Sequence, residues 1–275
     1  MNDHRPQRLS LGGGETMRVA WIGLGSMGAP MALSIVQAGH TLTGYARRPA
    51  EHDAIRAAGG TVIDDVSQAV RGAEVVCVNL FSAEQICEVL VERQGLAAMS
   101  AGAILVVHST VSAAFVRELA TMRPDIDVVD AGFSGGPQEA AEGRLTLLVG
   151  GTEEQVARVR PVFDAHSAYI AHVGPLGSGM TLKVINNLTF GAHVAIARDA
   201  LRLVEEEGLD AGTAAEALLR GSAASFALTV LSRNGDAEAS VARIRPYLDK
   251  DVAIARAGAT GMELGTLDAA TRDFG

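Results

Sequence analysis

Basic residues are scarce in this chain: 23 lysines and arginines face 32 aspartates and glutamates, a formal charge of -9 over 275 residues. Phosphate backbones demand a basic face, so the balance argues against nucleic acid as a partner. No apolar run reaches the roughly 18 residues that a membrane span needs, although 48% of the residues are hydrophobic. That combination describes a soluble globular protein. Cysteine is rarer still. Cys77 and Cys87 lack CxxC spacing, which excludes a disulfide framework and suits reduced thiols of a cytoplasmic protein. The seven histidines show no HExxH or similar spacing, His166 and His172 being the nearest pair, so no metal site is expected. Residues 1–16, ending Leu11-Gly12-Gly13-Gly14-Glu15-Thr16, lack both periodicity and the apolar centre of a signal peptide. They are predicted to form a disordered arm.

The length is about right for two domains, and two different patterns divide the rest. Arg18-Val19-Ala20-Trp21-Ile22 is a short apolar run that ends in Gly23-Leu24-Gly25-Ser26-Met27-Gly28. A helical stretch follows, with Met27, Met31, Ile35 and Val36 on one side, and Thr41 to Tyr45 reads as the next strand. This puts GxGxxG between a strand and a helix, where it has a mechanism. The first glycine permits a tight turn and the second lets backbone approach a pyrophosphate. The third lets helix and strand pack closely, with the helix N-terminus facing the phosphates. About 20 residues on, an NAD site usually carries a carboxylate for the ribose hydroxyl. This chain has Tyr45-Ala46-Arg47-Arg48-Pro49 instead. Two guanidiniums suit a 2′-phosphate, so NADP(H) is the preferred cofactor and NAD(H) a possible one.

Further strands are predicted at Val75–Phe81, Ala103–Val107, Asp127–Asp130 and Leu145–Val149. Strands alternating with helices imply a parallel, doubly wound sheet with ligands at the carboxyl ends of its strands. That topology places Asn79, Leu80, Phe81 and Ser109-Thr110 near the cofactor. Asp130 to Pro137 interrupts the pattern, and its Ser134-Gly135-Gly136 reads as a loop with exposed backbone N–H groups, suited to a carboxylate. As a bare tripeptide, Ser-Gly-Gly is more often a turn than a site.

Beyond Gly174-Pro175-Leu176-Gly177-Ser178-Gly179 the alternation stops, and Met180 to Glu207 reads as one helix, roughly 40 Å long at 1.5 Å per residue. Shorter helices follow at Ala211–Arg220, around Ser225–Leu231, near Val241–Asp249 and from Lys250 onward. Lys183 and Asn187 are four apart and share a face in the first turns of the long helix. The helix dipole disfavours a lysine there and lowers its proton affinity, which suits a proton donor. Spacing alone also allows a solvated surface lysine. The expected architecture is an α/β Rossmann-type doubly wound domain (residues 17–178) followed by an all-α domain (179–275) built on a long interdomain helix.

Four motifs in order now match a known family: Gly23 to Gly28, then Ser134-Gly135-Gly136 with Gly143-Arg144-Leu145, then Gly177 to Asn187, and last Lys250-Asp251. The chain resembles the β-hydroxyacid dehydrogenases, the group of 3-hydroxyisobutyrate dehydrogenase, tartronate semialdehyde reductase and glyoxylate/succinic semialdehyde reductases. The resemblance implies hydride transfer between NADP(H) and a small carboxylate-bearing hydroxyacid or semialdehyde. It implies Lys183 as the catalytic acid–base and Asn187 as its neighbour orienting the substrate. Ser134, Gly135 and Gly136 would bind the substrate carboxylate, while Leu80, Thr110 and Lys250 would contact the cofactor and Arg47 and Arg48 form the basic pair of NADP-preferring members. It also implies a homodimer or homotetramer through the helical domain. The chain departs from the family pattern at Phe81, at Gly132-Phe133 and at Glu139. Two alternatives stand beside this reading: an imine reductase, whose members typically carry Asp or Tyr at the lysine position, and a non-catalytic dinucleotide-binding protein.

Overall fold

The computed structural model describes residues 16–48, 52–233, 235–258 and 263–275. All but Thr16 of the arm expected at 1–16 lies outside the described residues. The chain begins β1 (Arg18–Ile22), α1 (Gly28–Gln37), β2 (Thr41–Tyr45), α2 (Asp53–Ala57), β3 (Thr61–Ile63), α3 (Val66–Val70) and β4 (Val75–Val78). After β4 come α4 (Ala83–Ile86), a π-helical turn (Cys87–Glu92), α5 (Gly95–Ala98), β5 (Ile104–Val107), α6 (Ala113–Met122) and β6 (Asp127–Ser134). Then α7 (Pro137–Ala141), β7 (Leu145–Gly150), α8 (Glu153–Asp164) and β8 (Ser167–Gly174) complete the first half. The second half is helical: α9 (Ser178–Glu206), α10 (Ala211–Arg220), α11 (Phe226–Ser232), α12 (Ala237–Gly258) and α13 (Thr266–Ala270). Among the described residues, no helix is long and apolar enough to cross a membrane.

The strands form one sheet in the order β3-β2-β1-β4-β5-β6-β7-β8. Strands β1, β4 and β5 are near-continuous runs of buried apolar residues, as a sheet covered on both faces requires. One face packs Trp21, Met31, Ile35, Val106, Leu147 and Phe163. The other packs Ile22, Val78, Ile86, Leu105, Val107 and Leu119. The strand order reverses between β1 and β4, the place where a doubly wound sheet opens a crevice at its carboxyl end.

Two sequence expectations are corrected here. The sheet is not wholly parallel: β7 pairs antiparallel with β6, and β8 runs alongside β7. The connection 135–144 is shorter than the dozen or more residues that a parallel crossover needs, so the chain turns straight back. Strand β6 also continues past Asp130 to Ser134, because β7 supplies backbone partners along the register from Asp130↔Gly150 to Ser134↔Thr146. Only Gly135 and Gly136 are left between β6 and α7.

The two helices expected around Val241–Asp249 and from Lys250 are one, α12, running through Pro246. Proline removes one intrahelical hydrogen bond. The buried face of Val241, Leu248, Val252 and Ala255 nevertheless continues on either side of it. Lys250 and Asp251 therefore sit on a rigid helix and not at a helix start.

Helix α9 joins the halves. Met180 belongs to the sheet's core, whereas Leu188, Val194 and Leu201 pack with Leu228, Leu248, Val252 and Phe274 in a third, all-helical core. The division expected between residues 178 and 179 thus falls inside the first turn of α9. That turn is capped from β6: the buried Asp130 carboxylate accepts from the backbone N–H of Gly177 at 2.7 Å and of Met180 at 2.6 Å. Such close approach needs glycine. A Cβ on Gly179 would lie 2.4 Å from Leu148 O and 2.9 Å from the Gly150 nitrogen, both backbone atoms that cannot swing away. Gly179→Ala should therefore destabilise the protein by about 3 kcal/mol through overpacking. A urea-unfolding midpoint equal to that of the wild type, with the same slope, would contradict this packing.

Candidate active site

The crevice beside β1 and β4 is a cavity of about 830 Å³. Its lining includes Gly23, Leu24, Gly25, Ser26, Arg47, Arg48, Leu80 and Phe81, all singled out from sequence. The three glycines of the motif do different work. Gly23 has φ +96°, and a Cβ there would meet Asn79 O at 2.2 Å. A Cβ on Gly28 would meet Gly23 O at 1.9 Å. These two allow the turn and the helix to close up. Around Gly25 a Cβ would find nothing within 4 Å, so its bare backbone faces open space at the N-terminal end of α1. This suits a diphosphate seated against backbone N–H groups. Arg47 and Arg48 line the same cavity just beyond β2.

Met27 and Gly28 do not line the cavity. Met27 packs partly buried against the core and Gly28 is sealed beneath the turn. Thr110 and Lys250 also lie outside the lining but meet each other, the Lys250 ammonium donating to Thr110 O at 2.8 Å. Lys250 further lies 5.6 Å above the Phe81 ring, and Phe81 contacts Tyr247 of α12 edge-on at 5.7 Å. The carboxyl end of β4 and the helical half thus touch across the mouth of the crevice.

Lys183 is buried, which decides between the two sequence readings: it is not a surface lysine. Its stem runs so close to β6 that a Cβ on Gly132 would lie 2.7 Å from the Lys183 Cβ and 2.8 Å from its Cγ. Its Nζ lies 5.8 Å from the Phe133 ring centroid and donates to Asn187 Oδ1 at 2.9 Å. Asn187 Nδ2 donates in turn to Asp251 Oδ2, whose other oxygen accepts from Lys250 at 2.6 Å. Burial pushes the Lys183 ammonium down from 10.5 to about 8. Asp251 pulls the other way and Lys250 adds to the lowering. Desolvation, rather than the helix dipole inferred from sequence, is the leading cause.

Ser134 ends β6, two residues beyond Gly132, and Gly135 and Gly136 turn after it. The Gly136 N–H is engaged by the chain itself, donating to Glu139 Oε2 at 2.8 Å.

Sequence reasoning missed three participants. Asp251 had no role of its own, because its partner Asn187 is 64 positions away. Asp130 was read only as the end of a strand. His108 is buried, and a carbonyl can only accept, so its Nδ1–H donates to Ala131 O at 2.8 Å. Its ring stacks on Trp21 at 5.3 Å, and the Trp21 indole donates to Gly23 O at 3.2 Å. Burial pushes this imidazole down to about 4, so it is a neutral prop beneath both the glycine turn and β6. Among the described residues, no group of three or more His, Cys, Asp or Glu could hold a metal.

The chain is similar to known proteins in sequence and fold. A family described as the NAD binding domain of 6-phosphogluconate dehydrogenase matches residues 18–174. One described as NAD-binding of NADP-dependent 3-hydroxyisobutyrate dehydrogenase matches residues 177–271. The NAD-dependent L-serine dehydrogenase of Pseudomonas aeruginosa is 35% identical over 216 residues, 78% of this chain and 72% of that protein. The 3-hydroxyisobutyrate dehydrogenase of the same species is 30% identical over 262 residues, 90% of this chain and 87% of that one. Among solved structures, Mycobacterium tuberculosis 3-hydroxyisobutyrate dehydrogenase with L-serine is similar at a TM-score of 0.79 and 27% identity, covering 94% of this chain and 92% of that one. Fold, crevice and kinship together define an NAD(P)-binding oxidoreductase with a Rossmann domain. Within that class the chain belongs to the β-hydroxyacid dehydrogenase family, the group of 3-hydroxyisobutyrate dehydrogenase.

The charge network makes a prediction that needs no substrate. Asp251 is the group that raises the Lys183 proton affinity, so Asp251→Asn should move the ammonium titration below about 8. Lysine side-chain NMR across this range reads it directly. A titration that stays in place or moves upward would remove Asp251 from the network.

Proposed function

We propose that this enzyme transfers hydride between NADP(H) and a small β-hydroxyacid or its semialdehyde, with Lys183 as general acid–base. The observation that carries the reading is the buried Lys183 amine, brought to about 8 and held by Asn187 on the same helix. A group with that proton affinity exchanges a proton near neutrality in either direction. When bound, the nicotinamide supplies or takes the hydride. The protein's own part is orientation, a proton and charge. In reduction the Lys183 ammonium gives its proton to the substrate's carbonyl oxygen. In oxidation the neutral amine takes the hydroxyl proton. Asn187 Oδ1 fixes the direction of Nζ, and Asp251 keeps the ammonium affordable in a buried site. Ser134, Gly135 and Gly136 hold the substrate carboxylate. The relatives at 30% identity or more support this class over imine reduction and over a non-catalytic role.

Arg47 and Arg48 support NADP(H), since both line the cofactor cavity beyond β2 where a 2′-phosphate would be recognised. Phe81 and Tyr247, in contact across the crevice mouth, serve to keep water from the reacting groups. Leu182, Ile185, Ile196 and Leu203 form an exposed apolar stripe on α9, which supports assembly into a homodimer or homotetramer through the helical half. Two unpaired thiols suit a cytoplasmic location.

Lys183→Ala should lower turnover by about 10²–10⁴-fold while NADPH affinity stays close to wild type. Reduction needs the protonated amine, so its rate should fall as pH rises through about 8, and the oxidative rate should rise there. Retained turnover, or lost NADPH binding, in Lys183→Ala would defeat the assignment. The substrate screen follows nicotinamide absorbance with glyoxylate, succinic semialdehyde, tartronate semialdehyde, methylmalonate semialdehyde and a cyclic imine. Turnover of the imine alone would transfer the reading to imine reduction. Replacing Arg47 and Arg48 together by neutral residues should raise KM for NADPH well above that for NADH. An unchanged cofactor ratio would make the pair mere surface charge.

A further inference from the structure

The turn after β6 is already partly filled by the chain's own charge. Gly136 N–H donates to Glu139 Oε2 at 2.8 Å. That bond first, with the more distant charges of Arg233 and Arg144, holds the Glu139 carboxyl below its usual range. The side chain is half-buried and lies against the turn: a Cβ on Gly135 would meet the Glu139 Cβ at 3.2 Å. A carboxylate is therefore seated on one of the backbone donors that a substrate carboxylate would use.

We propose that Glu139 is a specificity-determining residue, an internal carboxylate that occupies the Gly136 N–H and weakens this turn's hold on anionic substrates. The inference rests on the reading of Ser134-Gly135-Gly136 as the substrate-carboxylate clamp. A substrate anion meets two obstacles there. One donor is engaged, and its occupant carries the same sign of charge. A neutral substrate end meets only the first. Glu139 thus compresses the preference for acids over neutral analogues that a free Gly136 N–H would otherwise give.

Two variants separate charge from donor. Glu139→Gln keeps an oxygen acceptor for Gly136 N–H and removes the charge. Glu139→Gly removes both. The measurement is calorimetric titration of 3-hydroxypropanoate, and of the neutral 3-hydroxypropanamide, into the enzyme–NADPH complex. The acid should bind about three-fold to five-fold tighter to Glu139→Gln, the size of one partly solvated charge contact. It should bind about ten-fold tighter or more to Glu139→Gly, where a charge-assisted hydrogen bond becomes available to it. The amide should move by less than about two-fold in Glu139→Gln, since a lost charge contact is worth little to a neutral end. If Glu139 only caps α7, the acid will be unchanged or weaker in both variants, or acid and amide will shift equally, and the proposal is overturned. A wild type that turns over no acid defeats the function proposed above, while these binding constants still decide the role of Glu139.

Discussion

A single buried carboxylate, Asp130, determines where the helical half begins and therefore where Lys183 stands. It projects from β6 and accepts from two backbone N–H groups in the first turn of α9. Burial raises its proton affinity, and the two N–H bonds and the charge of Arg117 oppose that rise. The positive end of a helix of 29 residues also favours a negative charge there. The same strand that holds the helix start also seats the lysine. Two residues after Asp130, Gly132 gives its missing side chain's volume to the stem of Lys183. The helix start and the seat of the lysine stem thus come from one stretch of one strand, while Asn187 directs the amine.

Burial then brings the lysine's proton affinity toward neutrality. An exposed lysine would stay protonated far above neutrality, whereas this one is brought to about 8 by desolvation. Asp251 moderates the cost, at the centre of a chain of polar contacts from Lys183 to Asn187 to Asp251 to Lys250 to Thr110 O. That chain crosses from α9 to α12 and back to the loop after β5. Its last link, Lys250 to Thr110 O, is a direct polar contact between the helical half and the nucleotide half.

Much of the nucleotide half was legible in the sequence because its signals are local. Gly23, Gly25 and Gly28 fall within six positions, and a strand before with a helix after suffices to interpret them, although the close approach of Gly23 to Asn79 O is tertiary. Lys183 and Asn187 were paired correctly by helical spacing. The reversal at β7 was missed, since a connection's length was not weighed against what a parallel crossover requires. Helix α12 was divided between Asp249 and Lys250, because the burial of Leu248, Val252 and Ala255 that carries one helix across that boundary is tertiary and not local. Glu139 lies three residues from Gly136, yet the pair escaped notice because glycine at the cap position offers no side chain to mark a capping box.

By itself the sequence determined the periodicities, and through them a dinucleotide crevice followed by a long helix bearing a lysine and an asparagine on one face. Only the tertiary structure decided whether that lysine was buried, which carboxylate lay behind its partner, and which donor of the Ser-Gly-Gly turn was already engaged. The reason is physical. Spacing along a helix or strand follows from local backbone geometry, whereas proton affinity follows from desolvation and from partners that the fold brings in from 50 or more positions away, as with Asp130 on Met180 N–H and Asp251 on Asn187. The Gly136–Glu139 bond is local, but it depends on how the chain turns and on where the side chain points.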